Sequence, residues 1–163
     1  MKKSDIIAVV PTYNNPNTIE NVAKDILNHG YKVIVVDDGS EPRVNINAKN
    51  ISIIRHDKNL GKGMAITSGA KEAKKLGYKY FVSLDGDGQH LASQIETILK
   101  SCDGDDQIII GARNFAIQNV PKGSRFGRWF SNMWACWDTG YEIKDSLSGF
   151  RLYPTSILAL NIK

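Results

Sequence analysis

The chain has 163 residues, 42% of them hydrophobic and 23% charged, with a formal net charge of +4. These values describe one soluble globular domain with a real core. They leave out disordered, collagen-like and disulfide-scaffold proteins. The surplus of lysine and arginine fits either a solvated surface or attraction to phosphates, on a nucleotide or at a membrane surface. Cys102 and Cys136 form no zinc spacing and are expected as free thiols. The first apolar run stops at Pro11, too early for a signal peptide or a spanning helix. A cytoplasmic protein is expected.

Ile6-Ile7-Ala8-Val9-Val10 reads as a strand buried on both faces and closed by Pro11. In NTIENVAKDILNHG, Ile19, Val22, Ala23, Ile26 and Leu27 fall at helical spacing. Asn17 with Glu20 predicts a capping box, and Gly30 a stop. Val33–Val36 is a second buried strand and Ile51–Ile54 a third. GKGMAITSGAKEAKKLG predicts a helix ending before Gly77. Tyr80–Leu84 is a fourth strand, Ile95 to Cys102 marks a third helix, and Ile108–Ile110 is a fifth strand. Strands alternating with helices predict a layered α/β fold with a mostly parallel sheet.

In such sheets ligands bind outside the carboxyl ends of the strands. Three segments stop there in polar chemistry: Pro11-Thr12-Tyr13-Asn14, Asp37-Asp38-Gly39-Ser40 and Asp85-Gly86-Asp87-Gly88-Gln89. Asp85 and Asp87, one residue apart, share a face of an extended stretch. Two carboxylates aimed at one place repel unless a cation lies between them. With Gln89 they suit a hard ion, Mg²⁺ or Mn²⁺. A tight Asp-Gly turn would account for this stretch taken alone, and for Asp37-Asp38 as well. A carboxylate at a strand end can also accept from a base or a ribose. Asn59-Leu60-Gly61-Lys62-Gly63 opens a helix with bare backbone N–H groups and a cation, which suits a phosphate. It is neither a P-loop nor the GxGxxG fingerprint.

VVPTYNN, VVDDGS, NLGKG, SLDGDGQH, IIIGARN and DSLSGFRLYP occur in this order. Together they resemble the family 2 glycosyltransferases of the GT-A fold, within them the dolichyl- or polyprenyl-phosphate sugar transferase group, and the match covers most of the chain. The resemblance implies a three-layer α/β/α fold, a UDP- or GDP-linked sugar donor, a divalent metal and an inverting hexosyl transfer. It implies metal binding by Asp85, Asp87 and Gln89. Pro11, Tyr13 and Asp38 would frame the base and ribose, with Asp37 beside them, and Lys62 would lie near the nucleotide. Arg113 and Arg125 or Arg128 would face the acceptor phosphate. Where the group has PTYNE and DADLQH, this chain has PTYNN, with Asn15, and DGDGQH.

The Glu-Asp pair and QxxRW motif of many hydroxyl-accepting members are absent. A lipid phosphate is therefore favoured as acceptor over a saccharide hydroxyl in cell-envelope polysaccharide synthesis. His90 could assist or only orient a ligand. A nucleotidyltransferase would want a glycine- and arginine-rich N-terminal loop, which PTYNN does not supply. A receiver-like or merely nucleotide-binding module leaves Asp87, Gln89 and GKG unexplained. No nucleic-acid partner is expected. Residues 1–112 are expected to form the nucleotide- and metal-binding part of a single catalytic domain, and residues 113–163 the start of its acceptor part.

In PKGSRFGRWFSNMWACWD, Phe126, Phe130, Met133, Trp134 and Trp137 fall at helical spacing near Arg125 and Arg128. Such a helix either packs its aromatic side into the core or lies at the inner face of a membrane, with tryptophans among the headgroups. A further helix is expected over SILALNIK.

Overall fold

The computed structural model describes residues 1–88, 92–104, 106–112 and 122–159. Its elements are β1 (Ile6–Thr12), α1 (Pro16–Asn28), β2 (Lys32–Asp37), β3 (Ile51–Arg55), α2 (Lys62–Lys75), β4 (Tyr80–Ser83), α3 (Gln94–Lys100), β5 (Ile109–Ile110), α4 (Lys122–Thr139) and β6 (Arg151–Pro154). Six strands form one sheet in the order β3-β2-β1-β4-β6-β5. β3, β2, β1 and β4 run parallel. β6 lies antiparallel to both β4 and β5.

The continuous apolar runs do what their composition requires. All seven residues of β1 are buried, because the sheet is covered on both faces. Ile6, Ala8 and Val10 point to the side of α1 and α3, where they meet Ile19, Ala23, Ile26, Ile95 and Ile98. Ile7 and Val9 point to α2, against Ala65, Ala70 and Ala73. α2 presents small residues to the sheet and packs very close. A Cβ on its Gly69 would lie 2.3 Å from Val9 Cγ1. The result is the expected three-layer sandwich.

Several boundaries differ from expectation. α1 starts at Pro16, whose missing N–H and fixed φ suit a first helical turn. Asn17 is therefore inside the helix and caps nothing, and Glu20 pairs with Lys24 at 2.7 Å. β4 ends one residue early, at Ser83, and β5 starts one residue late, at Ile109. RLYP, read only as part of a motif, forms β6. Thr155–Ala159 is a 3₁₀ turn rather than the start of an α-helix, and residues 160–163 lie outside the described residues. The sheet crosses residue 112, since β6 pairs with β4 and β5.

α4 has the expected helical length, and its orientation settles which side faces out. Trp129, Phe130, Met133, Trp134 and Trp137 are exposed, Trp129 by 60% and Trp137 by 76%. The inward side carries Ser131, Asn132, Ala135 and Cys136. Asn132 donates to the Lys144 carbonyl at 2.7 Å and accepts from the Ser146 N–H at 2.8 Å. The Ile143 N–H reaches Cys136 Sγ at 3.1 Å. Of the two placements expected for the aromatics, Phe130, Met133, Trp134 and Trp137 take the exposed one, their helix being anchored through its polar and small side, while the side chain of Phe126 lies outside the described residues. Trp134 lies between two other rings of the helix, its centroid 6.2 Å from that of Phe130 and 5.0 Å from that of Trp137.

Candidate active site

The strand order reverses between β1 and β4, and the cleft opens at the carboxyl edge there. It holds about 430 Å³. β1 and the turn after it supply Pro11, Thr12, Tyr13 and Asn15. The end of β2 supplies Asp38. The approach to α2 supplies Asn59, Gly61 and Lys62. The turn after β4 supplies Asp85, Gly86 and Asp87. Every region that the sequence marked at this edge contributes to the cleft.

The two aspartates of DDGS part company. Asp38 faces the cleft and is nearly consumed by the protein. Its Oδ1 accepts from the Leu60 N–H at 2.9 Å and Oδ2 from the Gly61 N–H at 2.8 Å. His56 Nδ1 lies 2.6 Å from Oδ1, and its Nε2 lies 2.9 Å from Ser68 Oγ on α2. Burial alone would push the Asp38 carboxyl up. The hydrogen bonds from Leu60, His56 and Gly61 outweigh it and hold the group below the usual carboxylate range.

Asp37 is 0% exposed and outside the cleft lining. It accepts from the Ser40 N–H at 2.8 Å, the Val44 N–H at 3.1 Å and the Arg55 guanidinium, which stands beside it in the β2–β3 register. Here too burial works against ionisation, and the bonds from Ser40, Val44 and Arg55 lower the carboxyl overall. Asp37 fastens the loop behind the cleft and does not line it.

Gly39 makes the same junction possible. Its φ is +82°, and a Cβ there would lie 2.7 Å from the Lys58 carbonyl carbon. DDGS and NLGKG are therefore one built unit. Across the cleft, Asn15 Nδ2 donates to the Gly86 carbonyl at 3.2 Å and Thr18 Oγ1 donates to it at 2.6 Å. The asparagine that replaces the expected acid ties the turn after β1 to the carboxylate turn. The Thr12 hydroxyl is buried at the cleft without a hydrogen-bond partner among the described residues.

Asp85 and Asp87 lie on the wall opposite Asp38. Lys62 Nζ stands 2.5 Å from Asp85 Oδ1. Gly149, from the DSLSGFR segment, backs the same carboxylate so closely that a Cβ would lie 2.2 Å from Oδ2. That segment is held by Ser148, whose Oγ donates to the Gly111 carbonyl at 2.6 Å. Among the described residues no three His, Cys, Asp or Glu side chains gather as a metal cage. Two hard carboxylates plus ligand phosphates are nevertheless a normal coordination for Mg²⁺ or Mn²⁺. A cation already stands on Asp85, so the donor set fits such an ion.

Gln89, His90 and Arg113 lie outside the described residues, as do the side chains of Arg125 and Arg128 in α4. The sequence reading missed His56, Arg55, Ser68 and Gly149. Signals existed for Arg55, which closes the third strand, and for Gly149, which lies inside the DSLSGFRLYP motif without having been singled out.

The profile of the family described as glycosyl transferase family 2 matches residues 7–157, and the chain belongs to that family. It is 34% identical over 161 residues to an uncharacterised protein of Methanocaldococcus jannaschii, covering 94% of this chain and 66% of that one. It is 29% identical to the UDP-N-acetylglucosamine–dolichyl-phosphate N-acetylglucosaminyltransferase of Methanococcus voltae, covering 94% and 70%. With the polyprenol monophosphomannose synthase of Mycolicibacterium smegmatis the identity is 24%, covering 93% and 62%. The chain thus spans about two thirds of these relatives' lengths. Among solved structures, glucosyl-3-phosphoglycerate synthase from Mycobacterium tuberculosis, crystallised with Mn²⁺ and UDP-glucose, superposes with a TM-score of 0.60 at 16% identity. That match covers 94% of this chain and 57% of that one, and the shared fold is that of the GT-A glycosyltransferases.

Proposed function

We propose that this chain transfers a hexosyl group, with inversion, from a nucleotide-diphospho-sugar to a polyprenyl phosphate. The observation that carries the reading is the cleft itself. A carboxylate pair, a lysine at a helix N-terminus and a strand-end aspartate converge at the switch point of a family 2 fold.

Pro11, Tyr13 and Asp38 frame the nucleoside. Asp38 Oδ2 accepts one protein N–H, which leaves it a lone pair for a base or ribose donor. Asp85 and Asp87 hold Mg²⁺ or Mn²⁺, joined by Gln89. Bound there, the ion neutralises the charge that builds on the departing diphosphate. Lys62 and the bare N–H groups that open α2 face the same anion. A phosphate monoester, with a second pKa of about 6, is already ionised at neutral pH and needs no general base. Its oxygen attacks the anomeric carbon from the side opposite the leaving group, positioned by Arg113 and Arg128.

The outward aromatic side of α4 favours a lipid-borne acceptor over a soluble saccharide. Tryptophans suit the headgroup layer, and the helix sequence carries Lys122, Arg125 and Arg128 against one acid, Asp138. The protein would then work at the inner face of a membrane. No helix among the described residues is long and apolar enough to cross one.

The test is calorimetric titration with UDP and GDP, each with Mn²⁺ and with EDTA, followed by transfer assays on polyprenyl phosphate in vesicles. Metal-dependent binding of one nucleotide is expected and names the base. Binding of neither would overturn the reading.

A further inference from the structure

Lys62 is an odd residue for its position. It is the first residue of α2, where the helix dipole disfavours a cation, and its N-cap, Gly61, offers no side-chain cap. Its placement is nevertheless built. The two preceding residues of the loop, Leu60 and Gly61, give their N–H groups to the two oxygens of Asp38, so the backbone that launches Lys62 is pinned to the end of β2. The target is fixed too. Gly149 backs the Asp85 carboxylate so closely that a Cβ there would lie 2.2 Å from Oδ2 and 2.3 Å from Oδ1, and the ammonium of Lys62 stands 2.5 Å from Oδ1. Asp85 cannot swing toward Gly149 to escape it.

We propose that Lys62 is a place-holding cation: without nucleotide its ammonium occupies the oxygen of Asp85 that a divalent ion takes when the donor binds. The proposal rests on Asp85 and Asp87 being the metal carboxylates. Two carboxylates one residue apart repel, and in the nucleotide-free protein Lys62 relieves that repulsion. An arriving ion must displace it, so the metal alone binds weakly. A diphosphate in the cleft gives the ammonium a new anionic partner beside the N-terminus of α2. Lys62 can then leave Asp85 with its charge still paired, and the vacated oxygen goes to the metal. Metal and nucleotide are thereby coupled, and each raises the affinity for the other by the same factor. Lys62 is a positioning residue in this scheme, setting the order in which the site fills.

The experiment titrates Mn²⁺ into the wild-type chain, Lys62→Met and Lys62→Arg, following free Mn²⁺ by electron paramagnetic resonance. Each titration is done without nucleotide and then with whichever of UDP or GDP binds the wild type. Lys62→Met is expected to bind Mn²⁺ at least about threefold more tightly without nucleotide, the scale of losing one partly exposed ion-pair competitor. Its nucleotide affinity is expected to fall, and the coupling factor to shrink toward one. Lys62→Arg, which keeps the charge, is expected to stay near wild type. Unchanged or weaker nucleotide-free Mn²⁺ binding by Lys62→Met would overturn the place-holder. So would an undiminished coupling factor. If the wild type binds no Mn²⁺ even with nucleotide, the metal reading falls and takes this proposal with it. If the wild type couples the two and Lys62→Met does so equally, only the proposal for Lys62 fails.

Discussion

The cleft and α4 solve opposite problems with similar residues. At the cleft, polar groups turn inward and are almost fully used. Asp38 at its wall and Asp37 just behind it together gather six donors, from Ser40, Val44, Arg55, His56, Leu60 and Gly61. At α4, polar and small side chains also turn inward, through Asn132 and Cys136, but the large apolar ones are left outside. One region is organised before any ligand arrives. The other leaves large apolar side chains exposed. Stability should therefore depend on the first region and association on the second.

The largest break in this comparison is expected at the carboxylate pair. Asp87→Asn should lower turnover at least about 100-fold and abolish metal-dependent nucleotide binding, a loss on the scale of several kcal/mol. The circular dichroism spectrum and melting temperature should stay close to wild type, and retained metal-dependent binding would count against the assignment.

Asp37→Asn should do the reverse. It removes the charge opposite Arg55 inside a buried network, at a cost of about 3 kcal/mol in urea melts. Any remaining folded fraction should keep its nucleotide affinity, because Asp37 lies outside the cleft lining. A fall in affinity without loss of stability would put it back in the site.

Acid should act through Asp37 and Asp38. Both carboxyls are lowered in the folded chain, so the stability they contribute is complete above their unfolded value of about 3.9. It is lost as pH falls below that value and through their lower folded values. Denaturant midpoints should decline over that window, and more steeply in wild type than in Asp37→Asn.

The smallest stability effect is expected at Trp137→Ser, within about 0.5 kcal/mol of wild type. Its binding to vesicles containing anionic lipid should nonetheless weaken clearly in a sedimentation assay. A large stability loss would mean that the ring is covered.

Much of this was legible in the sequence, for reasons that differ by element. β1, β2 and β4 were readable because strands covered on both faces must be apolar throughout. The cleft was readable because three such strands stop in polar residues at one edge. The start of α1 was misread because Asn17 matched a capping pattern while Pro16 already fixed the first turn. β6 was invisible because four residues with alternating burial, ending in proline, carry little periodic signal. His56 and Gly149 owe their roles to strand register and to a return of the chain from far away, which no local pattern encodes. The spacing of the α4 aromatics specified a helix but not which side faces out. That was decided by Asn132, through its bonds to residues 144 and 146.

The antiparallel return of β6 bears on how the molecule comes into being. Val82 pairs with Leu152, about 70 residues further along. The parallel strands can assemble from earlier chain, whereas this pairing must wait for a long loop to close, and non-local closures are slow. Gly149 reaches Asp85 only as that closure is made. The nucleotide-facing edge is thus expected to form early in synthesis and the backing of its carboxylate last, so that a nascent chain acquires a recognisable pocket before it acquires a competent one.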